Sequence, residues 1–158
     1  MSFQKAHNIS NELAEVVITS VPKATTAWAT TAILFDKVPT VAGNSFRVLE
    51  TGFTVTIAGT NTVDTAAFSV GISGDVDAFI LDAGVPATPA IGLNISTSKG
   101  GADALSFVAA GDGNVDADGV PSLNAGNVAM VTPSGNITNG PTVVFYMRLA
   151  PVINRDVG

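Results

Sequence analysis

The sequence contains no cysteine, and it has only one histidine, one tryptophan and one tyrosine among its 158 residues. Without cysteine, disulfide bonds and thiolate metal sites are excluded, so stability has to come from packing or from assembly. The single histidine, His7, lies in a polar segment near the start of the chain, where it is poorly placed to serve a catalytic serine. No glycine-rich phosphate-binding motif stands between a strand and a helix. We therefore expect a protein that is not an enzyme and that has no catalytic, cofactor-binding or metal residues.

Charged residues are also scarce, at 13% of the chain, and acidic residues outnumber basic ones by 13 to 7. The resulting net charge of −6 repels phosphate backbones, so we expect no nucleic-acid partner. Small and uncharged polar residues must cover most of the surface, and such a sparsely charged exterior favours contact with other proteins. The sequence has no signal-peptide core and no apolar run long enough to cross a bilayer, which predicts synthesis in the cytoplasm without a membrane partner.

Apolar and polar residues alternate through much of the chain, and this period of two is typical of half-buried β-strands. The clearest strand is the last one, whose inward-facing residues are predicted to be Val143, Phe145, Met147 and Leu149. About eight or nine short strands separated by Gly, Asn and Pro turns, with no long helical pattern, predict an all-β fold. The expected architecture is an antiparallel β-sandwich, jelly-roll-like, with an extended N-terminal arm.

The core is expected in the stretch from Ser45 to Ile80. Phe46 and Val48 stand at even-numbered positions, whereas the apolar residues of the alternating run 53–57 stand at odd-numbered positions. One extra residue in a strand reverses which side chains face inward, so this change predicts a β-bulge near Gly52.

Other segments are predicted less sharply. A run as short as 75–81 is compatible with either a strand or one helical turn. The composition predicts strands at 28–35 and 104–108, and loops at 83–89 and 111–126.

The predicted domain organisation is simple. A single β-sandwich domain spans 12–153, preceded by an N-terminal arm, 1–11, and followed by a C-terminal tail, 154–158. The arm is polar except for Phe3, and such a segment is either an unattached terminus or an anchor that docks on a neighbouring subunit.

The sharpest local motif is an acidic loop in which Asn114, Asp116 and Asp118 alternate before Gly119. Oxygen ligands at this spacing resemble the first part of a calcium-binding loop, whose tight turn requires glycine. The bidentate glutamate expected to close the site is replaced by Ala125. The alternative is an ordinary solvated loop rich in Asp and Gly, and the sequence leaves both open.

Asp75 and Asp77 form a second acidic pair, next to Gly74. Paired carboxylates are the catalytic groups of glycosidases, but side chains two apart in a strand share one exposed face. Asp is common in turns, so a turn next to Gly74 accounts for both residues without a catalytic role.

Four short segments stand out within the region that extends from Ser45 to Leu149: 68–79, 125–128, 131–135 and the final strand. They resemble small β-sandwich proteins of tailed bacteriophages, and in particular the capsid decoration, or cement, proteins. The resemblance implies a structural virion protein, commonly a homotrimer, that is made in the host cytoplasm. It would bind the major capsid protein on the capsid exterior and bridge neighbouring capsid subunits.

Two alternatives remain at this point. One is a component of the phage tail or of a head fibre. The other is a calcium-dependent, adhesin-like or sugar-binding β-sandwich module that uses the acidic loop.

Overall fold

The structure, a computed structural model, describes residues 15–28, 32–38, 45–60, 66–86, 89–98, 104–108, 115–116 and 118–152. Within these residues the chain forms strands and one turn of 3-10 helix, Thr25–Ala27. The strands are β1 (Val16–Thr19), β2 (Lys23–Ala24), β3 (Ile33–Leu34), β4 (Ser45–Ile57), β5 (Ala66–Ile72), β6 (Asp75–Val85), β7 (Asn94–Ser96), β8 (Ser122–Asn124), β9 (Ala129–Ser134) and β10 (Thr142–Val152). The all-β prediction is confirmed. None of the described residues forms a helix with the length and hydrophobicity needed to cross a bilayer.

The strands form two antiparallel sheets. The first sheet has the order β1-β10-β4-β7, with β2 also paired to β10 and β8 also paired to β4; the second sheet has the order β3-β9-β5-β6. When β2 and β8 are set aside, every connection along the chain crosses between the sheets except the β5–β6 hairpin. The two sheets share one hydrophobic core, which confirms the predicted β-sandwich.

Four aromatic side chains lie at the centre of this core. Phe53 and Phe145 come from the first sheet, Phe68 comes from the second, and Trp28 follows the 3-10 turn. Phe145 contacts the other three rings at centroid distances of 5.0 to 5.8 Å, in tilted edge-on arrangements. The inward-facing residues predicted for the last strand are all fully buried, so the alternation in β10 is confirmed.

The predicted bulge in β4 is present, but at a different residue. Val48 and Glu50 pair with adjacent residues of β10, so Leu49 is the extra residue, three positions before Gly52. A second irregularity leaves Thr56 without a partner, and Ile57 beyond it is 59% exposed. Ile57 is exposed although it continues the alternation of Phe53 and Val55, because the second irregularity turns the end of the strand outward.

Several of the weaker predictions need correction. The segment 75–81 belongs to a strand, and β6 continues to Val85, so the loop predicted at 83–89 starts three residues later. The predicted loop 111–126 contains β8, because Leu123 is fully buried and its neighbours pair with the start of β4. The segment 104–108 is not a strand: it bridges the two sheets through single hydrogen bonds to β7 and β6.

The strand predicted at 28–35 is largely wrong. Only Ile33–Leu34 is a strand, and residues 29–31 lie outside the described residues. The backbone N–H of Trp28 donates to Asn136 Oδ1 at 3.0 Å, and the Thr25 hydroxyl donates to the Pro141 carbonyl at 2.9 Å. These bonds to the segment between β9 and β10 hold the 3-10 turn over the end of the core.

The arm, 1–11, and the tail, 154–158, also lie outside the described residues, so the domain limits remain predictions. The first residue that the structure describes is Glu15, and the last is Val152. Because β1 and β10 are antiparallel, with Val16 opposite Leu149, these two points lie at the same end of the first sheet.

Candidate functional site

The acidic loop is held by an arginine from the start of β4. Arg47 Nε donates to Asp116 Oδ2 at 2.7 Å, and a terminal nitrogen of the same guanidinium is paired with the Asp118 carboxylate. The other Asp116 oxygen accepts the backbone N–H groups of Asp118 and Val120 at 2.9 and 3.0 Å. The hydrogen bond from the Val120 backbone is the largest influence on the Asp116 pKa, which lies below its ordinary value, and Arg47 lowers it further.

This arrangement bears on the calcium hypothesis for Asn114, Asp116 and Asp118. Both described carboxylates already have a cationic partner in Arg47, which a metal ion would have to displace. Asn114 lies outside the described residues. Among the residues that the structure describes, no group of three or more His, Asp or Glu side chains is placed to hold a metal ion.

The outer face of the first sheet carries a polar network that the sequence did not indicate. The Tyr146 hydroxyl on β10 donates to Glu50 Oε1 at 2.7 Å and accepts from Asn94 Nδ2 at 3.0 Å. Asn94 also donates to Thr54 Oγ1 at 3.1 Å. Tyr146 and Asn94 stand on strands separated by β4. Gly52 of β4 lies between Tyr146 on one side and Ser96 on the other, and Asn94 is opposite Thr54, two residues further along β4. The missing side chain at Gly52 lets Tyr146 reach across the sheet.

Charged groups extend this network toward β1. Arg148 lies 3.6 Å from both Glu15 and Glu50, which makes two ion pairs that are too long to be hydrogen bonds. The Glu50 side chain is only 12% exposed. Its burial raises the pKa of the carboxyl, but hydrogen bonds from Ser96, Tyr146 and Ser98 together with Arg148 outweigh burial and lower the pKa below 4.5.

The lowered pKa of Glu50 predicts a pH-dependent contribution to stability. A carboxyl that binds its proton more weakly in the folded chain stabilises the fold above its ordinary pKa of 4.5, and this contribution disappears as the pH falls through the lowered value. Between about pH 7 and about pH 3, the melting temperature of the wild type should therefore fall further than that of Glu50→Gln. Asp82→Asn, at an exposed position, is the control and should follow the wild type. Parallel falls in the wild type and Glu50→Gln would contradict the prediction.

Asp75 and Asp77 lie at the start of β6, where both side chains are partly exposed. Burial raises the pKa of Asp75 above its ordinary value, and a hydrogen bond with Asp77 and the charge of Asp77 raise it further. Among the described residues, no Lys or Arg lies within 4.0 Å of either carboxylate. The pair is therefore acidic and lacks a cationic partner in the described part of the chain.

An apolar groove of about 410 Å³ lies beside this pair, on the second sheet. We name it the hairpin groove because it borders the β5–β6 turn. Its lining includes Leu34, Ile72, Ser73, Asn127, Val128 and Met130. Leu34 is 55% exposed, and its partner across the strands is Met130. Scattered exposed apolar residues are normal on a protein surface, whereas a groove that groups them is a candidate contact site.

A chain of the cyanophage Pam1 capsid asymmetric unit shares this fold. The match has a TM-score of 0.53 at 15% sequence identity and covers 87% of this chain and 85% of that chain. The two chains are therefore similar in length as well as in architecture. No protein-family model matches the sequence, and no curated protein matches it.

Two of the segments that resemble phage decoration proteins, 68–79 and 131–135, are adjacent in the structure. The segment 68–79 forms most of the β5–β6 hairpin, 131–135 covers the end of β9 that pairs with β5, and the final strand is β10. The first two lie in one sheet and the third lies in the other.

Proposed function

We propose that this chain is a structural virion protein of a bacteriophage that binds the outside of the capsid and bridges subunits of the major capsid protein. The observation that carries the proposal is the fold shared with a chain of the Pam1 capsid asymmetric unit over most of both chains. The sequence resemblance to decoration proteins supports the same assignment. On this proposal the protein is made in the host cytoplasm, has no catalytic activity, and assembles as a homotrimer on the capsid exterior.

The order of the strands supports a jelly roll within this assignment. A jelly roll combines two Greek keys into two packed sheets of four strands. The orders β1-β10-β4-β7 and β3-β9-β5-β6, with a single hairpin that stays within one sheet, match that arrangement. Jelly rolls recur in viral capsid proteins and in lectins, so the architecture also accommodates the sugar-binding alternative.

The charges favour contact with protein over contact with the genome. The chain has a net charge of −6, and its described arginines, Arg47 and Arg148, both face carboxylates. At most five other Lys and Arg residues in the chain, against 13 Asp and Glu, could neutralise phosphates, whose contacts dominate the affinity of nucleic-acid binding. The pairing of Arg47 with Asp116 and Asp118 also weighs against the calcium-dependent sugar-binding module.

Binding of this kind would stabilise the shell by mass action. A protein that binds only the assembled shell makes rupture less favourable by its binding free energy, and many copies add their contributions. Bridging requires that one copy, or one trimer, contacts more than one capsid subunit.

The copy number of the protein in purified virus particles tests the proposal. Quantitative mass spectrometry against the major capsid protein should give a ratio near one, as expected for a protein that covers the shell. A handful of copies per particle would instead indicate a tail or head-fibre component. Absence from the particle would contradict a virion function and favour the sugar-binding module, which a glycan array would then test.

A further inference from the structure

The hairpin groove has the chemistry of a site for an apolar side chain beside a cation. Leu34 is 55% exposed and its partner Met130 is half-buried, and Ile72 in the lining of the groove pairs directly with Asp75 in the hairpin. Asp75 and its neighbour Asp77 therefore stand next to the groove. An occupant that buries an apolar group in the groove and brings a positive charge beside the carboxylates would satisfy both features.

The N-terminal arm of this chain carries these two groups at a matching spacing. Residues 1–11 contain Phe3 and Lys5 and no Asp or Glu, in a chain whose net charge is −6. In an extended segment, residues two apart point to the same side and lie about 7 Å from each other. The arm is thus complementary to the hairpin groove in both polarity and charge.

The position of β1 bears on whether the arm meets the hairpin groove of its own copy or that of a neighbouring copy. β1 runs toward β3, which carries Leu34 of the groove: Ser20, the residue after β1, forms a bridge with Phe35, the residue after Leu34. Glu15 stands at the opposite end of β1, one strand length away from the groove of its own copy. The twelve residue steps from Glu15 to Phe3 span up to about 40 Å when extended, which is enough to reach an adjacent molecule.

We propose that the arm of one copy docks in the hairpin groove of a neighbouring copy, with Phe3 against Leu34 and Met130 and Lys5 beside Asp75 and Asp77. This contact goes beyond the proposed capsid function, since it joins copies of this chain and requires no shell. It gives the acidic pair the cationic partner that the described residues do not provide.

Disulfide trapping tests the contact directly, because the chain has no cysteine to interfere. An isotope-labelled Phe3→Cys protein is mixed with an unlabelled Leu34→Cys protein, and the disulfide between labelled and unlabelled chains is quantified by mass spectrometry during oxidation. The matched control replaces Leu34→Cys with Ile91→Cys, at a residue that is 68% exposed and outside the groove lining. We expect the Phe3–Leu34 disulfide to form at least about tenfold faster than the control. Equal rates would overturn the proposal.

A chain that carries both substitutions shows whether the arm docks in the groove of a neighbouring copy or in the groove of its own copy. Labelled and unlabelled Phe3→Cys/Leu34→Cys proteins are mixed and oxidised at the same concentration. Disulfides that join the two labels support docking between copies, whereas a predominance of disulfides within single chains would overturn it. Both readouts are independent of capsid binding, so failure of this contact and failure of the capsid proposal are observed separately.

Charge reversal tests the proposed pairing of Lys5 with the carboxylates of Asp75 and Asp77. Lys5→Asp should weaken self-association by about tenfold or more in sedimentation equilibrium, and combining it with Asp75→Lys and Asp77→Lys should restore the association. Unchanged association of Lys5→Asp, or no recovery in the combined variant, would overturn the pairing of Lys5 with the two carboxylates.

Discussion

Gly52→Ala should lower the free energy of unfolding by about 3 kcal/mol, because the added methyl group has no room. A Cβ atom at this position would lie 2.2 Å from the Ile95 carbonyl oxygen and 2.6 Å from Ser96 Cβ. The nearest of these atoms belongs to the backbone of β7, so the clash is relieved only if β7 moves away from β4. Denaturant unfolding followed by the fluorescence of Trp28, the single tryptophan of the chain, would measure the loss.

Gly84→Ala is the matched control for this substitution. Gly84 also lies in a strand, but a Cβ atom there would meet no heavy atom within 4 Å. Alanine restricts the unfolded chain more than glycine does, so this variant should be as stable as the wild type or more stable by up to about 1 kcal/mol. If both variants unfolded with the free energy of the wild type, the close approach of β7 to Gly52 would be incorrect.

Phe145→Ala should lower the free energy of unfolding by about 4 kcal/mol. Phe145 is fully buried and contacts the rings of Trp28, Phe53 and Phe68, so its removal leaves a cavity between the two sheets. The loss combines the transfer free energy of the ring with the cost of the cavity, since rings held by two sheets cannot close the gap. The same unfolding experiment measures the change.

Phe145→Leu separates cavity formation from loss of the aromatic contacts. Leucine fills more of the space than alanine, so we expect a loss of about 1 to 2 kcal/mol. A variant Phe145→Ala as stable as Phe145→Leu would show that the cluster collapses around the smaller side chain and that the packing is looser than the structure indicates.

The predictions that held from the sequence depended on a local pattern. In β10 one face is buried and the other is partly exposed, so buried and partly exposed residues alternate from Val143 to Leu149 as the sequence pattern predicts. The bulge in β4 was detectable for the same reason, because the shift of apolar residues from even-numbered to odd-numbered positions is visible within a few residues. Its position at Leu49 was missed because glycine at position 52 has a different function, namely the close approach of β7.

The predictions that failed depended on partners far along the chain. Trp28 is bound to Asn136 and Thr25 to Pro141, and no local pattern in the Thr- and Ala-rich segment indicates these contacts. β8 has three residues in a polar region, and it is a strand because the start of β4 lies beside it. A strand this short has too few residues for periodicity to identify it.

The same limit applies to the candidate site. The sequence drew attention to Asp116 and Asp118 and left open whether they bind calcium or belong to a solvated loop, but it did not indicate Arg47, which lies 69 positions from Asp116 and which the fold places beside both carboxylates. The network of Glu50, Asn94 and Tyr146 likewise joins three strands that are distant in sequence. Spacing within one segment carries no information on such contacts.

The position of β10 has a consequence for the way the protein is made. β10 stands between β1 and β4 in the first sheet and pairs with both, yet it follows all the other described strands along the chain. While the ribosome is still adding residues 142–152, β1 and β4 have no strand between them, and the first sheet is incomplete. Pairing of such distant segments is slow because long loops must close first. The sandwich therefore folds as one unit only once β10 has emerged from the ribosome.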